Sequence, residues 1–555
     1  SRRRTVIRRT TQPPEIDGRL DDPIWTTATH ISNFVQIAPV EGAPGTEDTE
    51  VWMAYDNENL YFAFYAHYSN TGIMRTNWGD RDETRGDDQM AVLFDPFLDQ
   101  QRAYQFEVNG RGVQSDSIVN AEGTRSRRSS SSSSMSNLLG SSYWQRTDSS
   151  SLSSSGSFGI RGDDSWNALF ETSGQIVDDG WTAEMAIPFK SLRYPSRGVG
   201  EDHVWGFQIT RRIRGLSEAQ SWSPISRDIA GQLTQFGVLE GLKDLSQSRN
   251  VEILPELTGV SIESLDRTAG NYRSQVSDGE IGVGFKYGIT PNLTADLTYN
   301  PDFSQIEADR PQIETNQRFA LFYPEQRQFF LEGSSVYRFA PSSGVRPFFS
   351  RRIGLSEGEA IPIRYGARLG GQVGNYDIGF LHVQTGQHET NELSRVPSED
   401  FTVGRFKRNI FQQSSLGMIY TRRSMRAVPS NFNGEPVGPT RQTVGFDLDL
   451  FTATFLGDKN LQFEAFYVVH TDPDINEKSK LSDRTSRGIR FNYPNDIWRG
   501  HVSLREFGND WDPAVGFAPR NSFRRLQPTI YYEPRPNLPN VRRLLFKADF
   551  EYLTD

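Results

Sequence analysis

Two neighbouring stretches, "EIGVGFKYGIT" (Glu280–Thr290) and "LTADLTYN" (Leu293–Asn300), decide how the chain is read. In the first, Ile281, Val283, Phe285, Tyr287 and Ile289 share one face of an extended chain. In the second, Leu293, Ala295, Leu297 and Tyr299 face one way, while Thr294, Asp296 and Thr298 face the other. A period of two is that of a β-strand. The alternation returns in "GFDLDLFTATF", with Phe446, Leu448 and Leu450 against Asp447 and Asp449. It returns again in "FKADFEY", with Phe546, Ala548, Phe550 and Tyr552 against Lys547, Asp549 and Glu551. A soluble β-sandwich or propeller also alternates and is the plain alternative. Here the polar face carries charges and the apolar face is capped by tyrosine and tryptophan, which is how the lumen and lipid faces of an antiparallel transmembrane β-barrel differ. Trp498, Tyr493 and Tyr532 are the candidate girdle residues. Roughly a dozen such segments follow Arg249, with soft boundaries. The last stops at Asp555 with no visible closing partner. Because lipid does not tolerate an open sheet edge, the expectation for 246–555 is an outer-membrane barrel that is incomplete at its C-terminal end.

Composition agrees with an all-β protein: 12% of the 555 residues are aromatic and 48 are glycine. No run approaches the roughly 18 to 20 apolar residues of a spanning helix, which excludes helical membrane proteins only. The net charge of −10 argues against a nucleic-acid partner. The basic start "SRRRTVIRRT" reads as a solvated tail. With no cysteine, the chain has no disulfides and no thiolate metal site, and its compartment is left open.

Before residue 250 the character is different. Short apolar runs such as "VWMAYDNENLYFAFYAHY" (Val51–Tyr68) and "GWTAEMAIPF" (Gly180–Phe189) carry hairpin dipeptides, Asp56-Asn57 and Asp179-Gly180. Residues 1–245 therefore read as a β-sandwich. A serine-rich tract at 125–159 interrupts it, too polar to bury a core, and reads as a flexible surface insertion.

The stretches "PEIDGRLDDPIWTTA" (Pro14–Ala28), "VWMAYDNENLYFAFYA" and "DDQMAVLFDPFLD" (Asp87–Asp99) resemble the family 9 carbohydrate-binding module. "YQFEVNGRGVQSDS", "DDGWTAEMAIPFKSLRYP", "WGFQITRRI" and "SWSPISR" extend the likeness to about residue 240. The remainder, with "NPDFSQIEAD", "RFALFYPEQRQFFLEGSSVY" and "FGNDWDPAVGFAPRNSFRR", is similar to an uncharacterised bacterial family that joins such a module to an outer-membrane β-barrel. The resemblance implies architecture more than activity. It implies a glycan-binding sandwich that, standing ahead of the first barrel strand, is periplasmic.

Sugar binding calls for an aromatic face under the C–H surface of the ring, with charged or amide groups on the hydroxyls. Trp78, Trp144, Trp166 and Trp222 lie in polar surroundings and are the candidates, with Arg81 and Glu83 as hydroxyl partners of Trp78. Trp25, Trp181 and Trp205, in apolar strands, are expected in the core. Asp82, Asp87 and Asp88 could offer oxygens to a structural calcium ion, against the plain alternative of solvated turn acids. The seven histidines show no metal-ligand spacing. "GLSEG" (Gly354–Gly358) has the spacing of a nucleophile elbow without its strand-to-helix context.

After Tyr299 the strand should stop at Pro301. Over 300–340, charges interleave with phenylalanines at a density that suits a segment folded inside the barrel. Asp302, Glu307, Asp309, Arg318, Arg327 and Glu332 are its expected plug residues, with Arg351 and Arg352 as further partners. Two functions fit. One is an outer-membrane protein binding a glycan or envelope polymer without catalysis. The alternative is a glycan-degrading enzyme, an O-glycosyl hydrolase with an accessory module, or else a subunit of a larger envelope assembly with protein partners.

Overall fold

The computed structural model describes residues 2–100, 102–120, 166–226, 229, 231–246, 251–266, 271–290, 292–301, 325, 327–331, 333–356, 359–391, 394–411, 413–425, 440–471, 473, 479–518, 520–536, 538, 541 and 544–554. The first part folds as two facing sheets. One runs in the order Arg4–Val6, Gly237–Leu242, His203–Ile213, Gln89–Asp95, Arg102–Asn109, Gln114–Asn120, with Glu218–Ser221 and Val35–Ala38 attached at one end. The other runs Glu171–Val177, Gly180–Pro188, Asn59–His67, Thr49–Tyr55, Arg8–Arg9, with Thr29–Ile31 beside Thr49–Tyr55. Asp56-Asn57 and Asp178-Asp179 sit in the hairpin turns, where short polar residues that hydrogen-bond their own backbone are favoured. Between the sheets lie Phe62, Phe94, Phe106, Trp181, Trp205 and Phe207, all fully buried. The rings of Phe94 and Phe207 are 5.5 Å apart, close enough to contribute beyond simple burial. The serine-rich insertion lies outside the described residues; the chain enters it after Asn120 and is described again from Trp166.

The second part is one antiparallel sheet of 14 strands, from Val251–Asp266 to Phe546–Asp549 and Tyr552–Thr554. Its first two strands are longer than the ten-residue period of the sequence suggests, at 16 and 20 residues. The barrel, expected to be incomplete at its C-terminal end, is seen among the described residues as an open sheet. Val251–Asp266 pairs with Asn271–Thr290 alone, and among the described residues the two ends of the sheet do not meet. No described helix is long and apolar enough to cross a membrane, which says nothing of strands.

Polarity in this sheet is inverted. Ile489 and Phe491, Val502 and Leu504, Leu526 and Ile530 stand exposed on one face. The alternate residues Asn492, Ser503, Arg505, Arg525, Gln527 and Thr529 are buried on the other. The buried face is stitched by charge. Arg368 donates to Asp296 at 2.6 Å from the directly opposite strand position, and Arg405 holds both oxygens of Asp447 at 2.6 and 2.8 Å. Arg525 meets Glu551 at 2.7 Å.

The segment from Glu325 to Ile353 lies against that buried face. Phe330 and Tyr337 pack with Leu381, Val383 and Phe401, while Phe339 and Val345 pack with Ile419, Phe466 and Val468. Glycines on the sheet make room: a Cβ on Gly366 would stand 2.8 Å from the Phe329 ring, and one on Gly379 would stand 2.8 Å from Val336. Of the expected plug residues, Arg327 is buried and paired with Glu325 at 2.8 Å, and it also donates to the carbonyls of Ile353 and Ser350. Asp302, Glu307, Asp309, Arg318 and Glu332 lie outside the described residues.

Candidate functional site

A loop from Arg75 to Asp88 joins the two sheets of the sandwich and presents Trp78 at its tip, 75% exposed. An indole of that size is seldom left in water on a structured loop unless something else covers it. The loop is closed by its own acids. Asp88, fully buried, accepts from the Tyr68 hydroxyl at 2.8 Å and from the backbone N–H groups of Arg75 and Arg214 at 2.9 and 2.6 Å. Burial raises its pKa against the pull of those donors, and burial likewise pushes the Tyr68 phenol up to about 12. Asp87 accepts from the backbone and side-chain amides of Asn77, next to Trp78, at 3.0 and 2.6 Å. Two of the three acids expected to ligate calcium, Asp87 and Asp88, are thus engaged by N–H and O–H donors that fix the loop. Asp82 accepts instead from the Asp116 backbone at 3.2 Å. Among the described residues no group of three or more acidic or histidine side chains is arranged to hold a metal ion.

Asn109, fully buried, ties the loop to the next hairpin. Its side-chain amide donates to the Asn77 carbonyl at 2.9 Å and to Asp87 at 2.8 Å, while its oxygen accepts from the backbone N–H groups of Arg111 and Val113, each at 2.9 Å. The turn "NGRG" is thereby held against the far sheet. Gly112 has φ +79, and a Cβ there would stand 2.9 Å from the Gly174 nitrogen, so this position needs glycine on both counts. The clamp sets the Arg111 guanidinium over the Trp78 ring, 5.8 Å from its centre.

Arg81, expected to meet sugar hydroxyls, is spent elsewhere. It is bound to Asp116, to Gln114 at 3.3 Å and to the Ala168 carbonyl at 2.6 Å. Burial pushes the Asp116 carboxyl up to about 6 in spite of that ion pair. Glu83 stays exposed on the loop beside Trp78. The other tryptophans part company. Trp166 packs on Tyr104 and Phe106, with ring centres 5.1 and 5.6 Å away, and is partly buried. Trp222 is core: its ring lies 5.5 Å from that of Phe207 and so close over Gly237 that a Cβ there would be 2.4 Å from it. Its polar neighbours in sequence concealed a partner 15 residues away. Trp25, Trp181 and Trp205 are buried as expected. Trp144 lies outside the described residues.

Asn109 and Arg111 were not among the expected site residues. The available signal was an Asn-Gly turn directly after a strand with an arginine at its tip, a pattern that fixes a side chain rather than merely reversing the chain. The histidines, scattered in sequence, are partly gathered in space. His30 and His67 each approach a different oxygen of Glu50 at 3.1 Å, on the outer face of the second sheet. "GLSEG" begins in a two-strand hairpin of Leu355–Ser356 with Glu359–Ala360, which is no elbow.

A profile for a domain of unknown function, DUF5916, matches residues 262–364. Among curated proteins no sequence matches. Solved structures similar to the chain include a family 9 carbohydrate-binding module from Caldicellulosiruptor kristjanssonii in complex with cellotriose, at 12% identity and a TM-score of 0.27, over 44% of this chain and 96% of that one. A carbohydrate-binding protein from Bacteroides uniformis, so described provisionally, aligns at 12% identity and a TM-score of 0.29, over 44% of this chain and 100% of that one.

Proposed function

We propose that the chain is a non-catalytic glycan-binding protein of the bacterial outer membrane. Its sandwich contacts sugar through Trp78, and its 14-stranded sheet faces lipid on one side. The observation that carries the binding half is Trp78 itself, an exposed indole on a loop held by Asp87, Asp88 and Asn109. A platform fixed beforehand loses little entropy when a pyranose stacks on it. The membrane half is supported by the inverted sheet: a face of exposed phenylalanine, leucine, isoleucine and valine is costly in water and suited to lipid. The stacked pair Trp498 and Tyr532, with ring centres 4.3 Å apart on that face, fits an interfacial girdle. On this reading the sandwich lies in the periplasm, where its ligand is an envelope or imported glycan. A structural calcium ion at Asp82, Asp87 and Asp88 does not enter the reading, because Asp87 and Asp88 already accept from backbone and side-chain donors.

The test is a glycan array with the full chain in detergent, beside its Trp78→Ala variant. Binding without sugar release, lost by at least tenfold in the variant, is expected. Release of sugar would establish the hydrolase instead. Absence of binding to any glycan would leave a docking role in an envelope assembly.

A further inference from the structure

The charges around Trp78 are balanced unevenly. Asp87 and Asp88 are consumed in closing the loop, and Asp116 is consumed by Arg81. Arg111 has no such partner. Among the described residues its guanidinium makes no hydrogen bond and no ion pair, and its Nε is shut off from water without an acceptor. Of the remaining acids of the loop, Asp82 accepts from the Asp116 backbone, and Asp80 and Glu83 are exposed to water and salt and form no ion pair with Arg111. The guanidinium is nonetheless placed, because Asn109 fixes its backbone and the Trp78 ring lies beneath it, 5.8 Å from its central carbon.

Resting on the glycan reading above, we infer that this site takes an anionic sugar, one bearing a carboxylate or sulfate, with Arg111 as the residue that recognises the charge. A guanidinium presents paired N–H donors in a rigid fork that matches the two oxygens of a carboxylate or two of those of a sulfate. Placed over an indole, it gains from the ring quadrupole while its edge stays available to an acceptor. A neutral pyranose would leave those donors facing hydroxyls, which are weaker acceptors. The arrangement therefore combines a stacking platform, which any pyranose can use, with one charge reader.

Binding of the full chain is measured with three probes: an oligogalacturonate, the same oligosaccharide with its carboxyl groups reduced to alcohols, and a sulfated galactan oligosaccharide. Tighter binding of at least one anionic probe than of the reduced one, by about tenfold or more, is expected, and comparison of the uronate with the sulfate identifies which anion is read. Arg111→Gln should lower the anionic affinity and abolish its dependence on salt, so that the variant binds the charged and the reduced probes alike. Trp78→Ala should remove all three. Equal affinity for charged and neutral probes, or an Arg111→Gln variant that still prefers the anion, overturns the inference while the glycan reading stands. If no probe binds and none of a wider set of glycans binds either, the glycan reading fails and the inference with it.

Discussion

The sandwich and the large sheet solve the same problem with opposite faces. In the sandwich, Phe94 and Phe207 look inward into an apolar layer; in the large sheet, Phe446 and Leu504 look out, and Arg405 and Arg505 are buried on the inner side, with Asp447 paired to Arg405 there. Both parts follow the strand period of two, so periodicity alone cannot say which face meets solvent. What differs is the partner. Each sheet of the sandwich faces the other across an apolar layer, whereas the inner side of the large sheet faces the segment that includes Phe329 and Ser343, as when Arg505 donates to the Ser343 carbonyl at 2.7 Å.

The sharpest way to break the comparison is to make the same change on both sides. Phe94→Ala removes a fully buried ring and should cost the sandwich about 3–5 kcal/mol, read from protection of its amides against hydrogen exchange. Phe446→Ala removes a ring 48% exposed to solvent and should change the stability of the large sheet by less than about 1 kcal/mol. Similar losses at both sites would mean that the outward face is packed against protein. The mirror experiment uses charge. Arg405→Leu strands Asp447 on the buried face and should cost about 3–5 kcal/mol, most of it recovered by Leu at both positions. A single variant as stable as the parent would show that this face is freely wet.

How far the sequence revealed these two faces depends on what each residue needed to be recognised. The alternation in "LTADLTYN" exposed strand, face and polarity at once, because period and charge coincide in eight residues. Closure is a different matter. It depends on whether two strands nearly 300 positions apart meet, and no local pattern carries that. The Trp78 loop is legible as an aromatic among charges, whereas the hydrogen-bond partners of its acids are not. Asp87 and Asp88 look like metal ligands in sequence, and only their donors, from Arg75 to Arg214, show that they are clamps. Trp222 failed for the same reason, since Gly237 is what makes room for it.

The next prediction separates lipid from water as the medium of the outward face. Val502→Arg places a cation there, 48% exposed in the parent. In a bilayer it should cost about 2–4 kcal/mol near the midplane, and in water close to nothing. Refolding titrations into liposomes, compared with thermal melts in detergent-free buffer, distinguish the two. A negligible penalty in liposomes would remove the lipid reading and leave a soluble sheet with a sticky face.

The last effect belongs to the sandwich and concerns a charge that this half of the molecule does bury. Glu184 is fully buried between the sheet and the N-terminal segment, accepting from the Trp25 indole N–H at 2.8 Å and from the Gly18 backbone at 2.9 Å. Burial raises its pKa to about 7 against those donors. Because the folded pKa lies above that of an unfolded glutamate, the folded state binds the proton more tightly. Its stabilising share is complete at low pH and is lost as pH rises from the ordinary carboxylate range to about 7. For one group the slope cannot exceed about 1.4 kcal/mol per pH unit. Melting of the sandwich followed between pH 4 and pH 8 should therefore fall with pH by a step that Glu184→Gln removes. If the step survived the substitution, it would belong to another buried acid of the same half, with Asp95, likewise raised to about 7 by burial, the next to be replaced.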